Sequence, residues 1–183
     1  MNYIVFDLEL TCWEGDMAGR QQEIIELAAL KINSYGHTIS RFNRFVKPKR
    51  YPILSPYCIK LTSINQSQIN QAKSFKEVIR DFMEWIDKDQ EEYYLIAWGH
   101  NDLGFLKNEC NINNVESDWL ITYVDLNSKY IRLRKLRDSI SLLGALSLEG
   151  LEFEGTQHRA EDDAYNLSRI FVKYLADWDV YKF

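Results

Sequence analysis

The chain has 183 residues, with 46% apolar and 27% charged side chains: enough for one domain with a full hydrophobic core, and the composition of a soluble globular protein. Its net charge of −5 argues against a simple basic nucleic-acid coat protein but not against a nuclease, because metal-binding carboxylates add negative charge that bound cations offset. No signal-peptide pattern, linker or repeat is visible, and no apolar run approaches the roughly 20 residues of a membrane span, so a single cytoplasmic domain is expected over residues 1–183.

Residues 2–9 alternate and are strongly apolar, which predicts a strand. Residues 23–34 and 38–46 predict two more. Ser34-Tyr35-Gly36-His37 between them is a hairpin turn signal, so the first three strands are expected to form an antiparallel meander. Residues 47–61 are predicted irregular because of their prolines. Ser63 is expected to begin a short helix, and Ser74 to cap a second one in which Phe75, Val78, Ile79, Phe82 and Ile86 recur at helical spacing. Residues 93–98 predict a buried strand ending at Gly99, followed by a helix from about Asp102 to Cys110. Residues 119–125 suggest a last strand. Two or three helices complete the chain. One is long, from about Ala160 to Leu175, with Ala160, Ala164, Leu167, Phe171 and Tyr174 on its core-facing stripe. A meander followed by alternating helices and strands predicts an α/β domain whose mixed central sheet is flanked by helices. The three cysteines, Cys12, Cys58 and Cys110, are odd in number and lack metal-ligand spacing, so they read as reduced, buried thiols.

The residues that carry chemistry are scattered. Asp7 and Glu9 are two apart on a strand, so both side chains leave the face they share with Tyr3 and Val5. Carboxylates at the end of a buried face need metal or counter-charge, although Asp-x-Glu alone also suits the polar tip of an edge strand. Asp102 stands where a strand gives way to a helix, a place where aspartate also serves as a cap. Asp163 lies in the first turns of the last long helix, with His158 in the loop before it. Asp162 would point about 100° away around that helix, so only one of the two can face the site. Four carboxylates from separate elements can hold two hard cations, and a nearby imidazole can take a proton from an attacking water. Lys47, Lys49 and Arg50 form one basic group, and Arg132, Arg134, Lys135 and Arg137 another; each suits either phosphate contact or a solvated face.

Taken in order, a strand-end Asp-x-Glu, a strand-to-helix Asp and a His-x4-Asp entering a C-terminal helix resemble the DEDD, or DnaQ-like, 3′–5′ exonucleases. The histidine resembles that of the DEDDh branch. The coarse order β-β-β-α-β-α-β-α is similar to the RNase H-like fold. Phe6-Asp7-Leu8-Glu9-Leu10-Thr11-Cys12, Glu23-Ile24-Ile25-Glu26-Leu27, Phe45-Val46-Lys47-Pro48, the stretch from Leu54 to Ile64, Trp98-Gly99-x-x-Asp102 and the stretch from Phe153 to Ala160 resemble the Eri-type and KapD-like RNA exonuclease group. The extra nucleic-acid-binding domain of some animal members has no counterpart among these residues, so their structured-RNA targets are not carried over.

The resemblance implies roles. Asp7 would bridge two Mg²⁺ or Mn²⁺ ions, Glu9 and Asp163 would complete the ligands of the first, and Asp102 would hold the second. His158 would be the general base. Tyr57 and Trp98 would sandwich the 3′-terminal base, and the backbone amides of Leu10 and Thr11 would contact its ribose. Without the resemblance, Trp98 reads first as a core aromatic. The expected activity is metal-dependent release of nucleoside 5′-monophosphates from single-stranded RNA or 3′ overhangs, with nucleic acid as partner, RNA ahead of DNA. A DNA exonuclease or proofreading-type subunit is the alternative within the same chemistry. An inactive nucleic-acid-binding domain is a second, against which the presence of all five residues counts.

Overall fold

A six-stranded mixed sheet runs through the centre of the structure, a computed structural model that describes residues 1–15 and 19–178. Strands β1 (Asn2–Leu10), β2 (Ile24–Asn33) and β3 (Thr38–Lys47) form the expected antiparallel meander. The short β4 (Lys73–Ser74) pairs parallel to β3 at one edge. On the other side β5 (Tyr93–Ala97) pairs parallel to β1, and β6 (Tyr123–Asp125) parallel to β5. The strand order is β4-β3-β2-β1-β5-β6, which puts β1 inside the sheet.

Both faces of β1 are covered, and this explains its nearly unbroken apolar sequence. Ile4, Phe6 and Leu8 pack with α3 (Phe75–Ile86) and α4 (Asn101–Ile112) on one face. Tyr3 and Val5 pack on the other with α5 (Leu126–Arg134), α6 (Leu142–Leu148) and α7 (Ala160–Lys173). The Ser74 cap is as expected: its hydroxyl and Glu77 form a capping box, and Phe75, Val78, Ile79, Phe82 and Ile86 are all buried.

Four local expectations are corrected. The stretch predicted irregular contains a helix, α1 (Pro56–Thr62), because Pro56 falls in its first turn, where a missing N–H costs nothing, and Ser55 caps it by accepting the Cys58 N–H. Ser63 does not start a helix; it ends α1 in the left-handed conformation, and α2 (Gln66–Gln71) starts from an Asn65–Gln68 capping box. Within residues 119–125 only Tyr123–Asp125 is strand, preceded by a 3₁₀ turn at Asp118–Thr122. Consecutive Trp119 and Leu120 are both buried while Ile121 is 89% exposed, a pattern that a two-residue strand period cannot produce. In α7, Ala160, Ala164, Leu167 and Phe171 are fully buried as expected, but the helix stops at Lys173, leaving Tyr174 just past its end. Among the described residues no helix is long and apolar enough to cross a membrane.

Candidate active site

The site forms where β1 outruns its neighbour. β1 pairs with β5 only from Asn2 to Val5, while its pairing with β2 continues to Leu10. Asp7 and Glu9 therefore stand beyond the end of β5, in a gap that other elements reach. After β5 the chain turns at Gly99, whose φ of 129° suits glycine, and enters α4 with Asp102 in its first turn. From the opposite face α7 brings Asp163, also in its first turn.

Asp7, Glu9 and Asp163 offer carboxylate oxygens that lie within 4.8 Å of one another. Asp102 is not in this trio but is close enough to raise the Asp7 carboxyl. Burial first, then Asp102, Asp163, Glu9 and Glu26, push Asp7 well above the usual carboxylate range. Burial, with Asp163 and Glu26, lifts Glu9 to about 8, against the opposing pull of Arg159. Asp102 is pushed up to about 6, by burial and then by Asp125. Asp163 also rises to about 6, mainly by burial; His158 and hydrogen bonds from the backbone of His158 and Arg159 hold it back. Converging oxygen donors with too little positive charge among them are the donor set that a hard divalent cation fits.

Asp162 and Asp163 separate as the helix geometry requires. Asp162 accepts the Thr156 N–H at 2.8 Å and fastens the loop that carries His158, leaving Asp163 to the site. His158 is exposed and adopts a left-handed φ of 61°. It stands two residues before α7 begins, on the loop that leads to Asp163.

The aromatic candidates divide. Tyr57 is 39% exposed on α1, which is tied to the end of β1: Ser55 Oγ donates to the Cys12 carbonyl at 2.6 Å and Cys58 Sγ to the Leu10 carbonyl at 3.6 Å. Trp98 is half-buried, packs against Tyr130 at 5.5 Å and donates its indole N–H to the Ile140 carbonyl at 3.0 Å. The Thr11 N–H, just past the end of β1, donates to the Glu23 carbonyl at 2.8 Å. Of the basic groups, Arg50 lies against Glu23 and Glu109, and Arg134 against Glu149. All three cysteines are free thiols, Cys58 and Cys110 buried and Cys12 half-buried.

The sequence reading missed four neighbours of the site. Tyr123 donates its hydroxyl to the Gly99 carbonyl and feels Asp102, Asp125 and Asp7. Asp125 caps α5 through Ser128 and lies 3.2 Å from His100 Nε2. Glu26, fully buried, and Arg159, half-buried, form an ion pair at 3.0 Å. The one available signal was Glu26 itself, a charge inside the apolar run Ile24-Ile25-Glu26-Leu27-Ala28-Ala29-Leu30.

Residues 4–171 match the family described as Exonuclease (RNase T). ERI1 exoribonuclease 2 from Homo sapiens is 33% identical over 201 residues, covering 98% of this chain and 29% of its own length. The 3′-5′ exoribonuclease 1 of Rattus norvegicus is 30% identical over 94% of this chain and 52% of its own. This chain thus spans between about a third and a half of these relatives. Among solved structures, the nuclease domain of 3′hExo, a DEDDh family member bound to rAMP, superimposes with a TM-score of 0.90 at 27% identity, covering 96% of this chain and 92% of that one.

Proposed function

This chain belongs to the exonuclease family, in its DEDDh branch, and we propose that it is a metal-dependent 3′–5′ exonuclease acting on single-stranded RNA or 3′ overhangs. The observation that carries the reading is the convergence of Asp7, Glu9 and Asp163 within 4.8 Å. The names of the relatives, exoribonucleases, favour RNA, and the rAMP bound to 3′hExo is a nucleoside monophosphate of the kind this reaction would release.

Asp7, Glu9 and Asp163 would hold one divalent cation, Mg²⁺ or Mn²⁺, and Asp7 with Asp102 a second. When bound, such ions stabilise the attacking and leaving oxygens of an in-line displacement. His158 takes the proton from the attacking water. The water oxygen adds to the terminal phosphorus, the P–O3′ bond breaks, the leaving O3′ takes up a proton from solvent, and a nucleoside 5′-monophosphate departs from a chain with a new 3′-hydroxyl. Tyr57 and Trp98 stack on the terminal base, and the Leu10 amide meets its ribose. Stacking tolerates any base, which suits a stepwise exonuclease. Residues 1–183 would act as one exonuclease domain in the cytoplasm, where free thiols persist.

The test is digestion of 3′- and 5′-labelled RNA and DNA, single- and double-stranded, with Mg²⁺, Mn²⁺ or EDTA. The expected result is stepwise shortening of 5′-labelled RNA, immediate release of labelled monophosphate from 3′-labelled RNA, and no reaction in EDTA. Faster digestion of DNA would transfer the substrate to the DNA class. Absence of cleavage of either polymer by folded, Mg²⁺-supplied protein would overturn the reading.

A further inference from the structure

We propose that Glu26 and Arg159 are positioning residues, a clamp that fixes the His158–Asp163 end of α7 against the carboxylates of β1. The inference rests on the exonuclease reading for its kinetic consequences, not for its effect on cation binding.

Glu26 is fully buried and stands directly opposite Glu9 in the β1–β2 ladder. A buried carboxylate there would repel the metal-binding cluster unless it is paired and hydrogen-bonded. Arg159 pairs with it through two prongs, Nε at 3.2 Å and Nη2 at 3.0 Å, and its guanidinium packs over Phe45 at 5.6 Å. The rigid fork of arginine restricts both direction and distance in a way that a lysine point charge does not.

The clamp also ends a helix. Arg159 occupies the N-cap position of α7 yet makes no side-chain cap of its own. Glu26 supplies the missing acceptor from a different element, taking the Ala160 N–H at 3.2 Å. One carboxylate thus holds both the cap residue and the first helical amide. His158 immediately precedes this anchored residue, and Asp163 donates its own N–H back to the Arg159 carbonyl at 2.9 Å. Any change in the Glu26–Arg159 distance therefore moves the general base and one cation ligand relative to Asp7 and Glu9. Neither residue belongs to the carboxylate trio, and neither needs to touch substrate.

Arg159→Lys keeps the charge and removes the fork. The readouts are Mn²⁺ affinity by titration calorimetry, the single-turnover rate and KM on labelled RNA, and thermal melting. A supporting partner of metal ligands typically changes affinity or activity by about 10–100-fold. We expect a loss of that size in the chemical step and weaker Mn²⁺ binding, with KM nearly unchanged. The near-isosteric Glu26→Gln, which can still accept from Ala160, should show the same split, and the double variant should be less than additive. A merely structural pair predicts lower melting temperatures with wild-type Mn²⁺ affinity and chemical rate, and that result would overturn the proposal. Should Arg159→Lys fail to fold, Glu26→Gln decides by the same readouts. If wild-type protein binds Mn²⁺ but degrades no RNA, the exonuclease reading fails alone, and the Mn²⁺ titrations still test the clamp.

Discussion

Asp163, in the first turn of α7, presents a carboxylate oxygen within 4.8 Å of one from Asp7 on β1, although nearly the whole chain separates them in sequence. Such a pair, joined by Glu9, is costly to fold without a cation, and the cost depends on pH. Folding raises Glu9 from 4.5 to about 8 and Asp102 and Asp163 from 3.8 to about 6. The native state thus keeps protons that the unfolded chain has released. The stabilising contribution is complete below the unfolded values and is lost as pH rises through the folded ones. The melting temperature in EDTA should therefore fall as pH rises from about 4 to about 8, and Mg²⁺ should restore more stability at the upper end than at the lower. A melting temperature in EDTA that rises steadily across this range would contradict the assignment.

Asp7→Asn should abolish nuclease activity without unfolding the protein. The substitution removes one charge from the cluster that burial and four neighbouring carboxylates already disfavour. Near neutral pH without metal the variant should melt at the wild-type temperature or higher, by about 2–4 °C for each kcal/mol of relieved repulsion. Turnover near the wild-type rate at saturating Mg²⁺ would remove Asp7 from its proposed bridging role.

His158→Ala should lose about 10²–10⁴-fold in the chemical step while keeping Mn²⁺ and RNA affinity. Because His158 is exposed, melting should change little. Single-turnover rates on labelled RNA check this. A normal chemical rate would leave His158 as a loop residue and nothing more.

Tyr57 and Trp98 should separate by their packing. Tyr57→Ala, at an exposed ring, should weaken RNA binding by roughly 1–3 kcal/mol, similarly for all four terminal bases, with melting unchanged. Trp98→Ala should also lower the melting temperature, because it deletes the contact with Tyr130 and one of the two hydrogen bonds to the Ile140 carbonyl, which keeps the one from Asn127 Nδ2. Fluorescence titration with oligonucleotides differing only in the last base tests both. Unchanged RNA affinity for Trp98→Ala would make that ring purely structural.

Gly155→Ala should be more damaging than an exposed loop position suggests. Gly155 has φ 91°, and an added Cβ would press into the Asp162 carboxylate, which holds the Thr156 N–H. The combined strain should cost on the order of 1–3 kcal/mol. It should also lower the chemical rate by displacing His158. Wild-type melting and turnover in this variant would mean that the loop relaxes without moving the histidine.

Much of this protein was legible in the sequence because its signals are local. The alternation of residues 2–9 and the turn at Ser34–His37 fixed the meander, and the Ser74 cap with its apolar stripe located α3. Motif order marked the carboxylates. Residues 47–61 misled because prolines were read only as breakers, whereas Pro56 initiates α1.

Sequence by itself determined which side chains can do the chemistry: Asp7 and Glu9 share a face because strand geometry alternates, and Asp162 and Asp163 diverge because a helix turns about 100° per residue. Only the tertiary structure decided that β1 would outrun β5 to open a gap, that Asp163 would meet both Asp7 and Glu9 within 4.8 Å, and that Glu26 would be neutralised by Arg159. These outcomes depend on strand register and on packing between segments far apart in the chain. Periodicity records which face a residue occupies, but not which distant residue will meet it there.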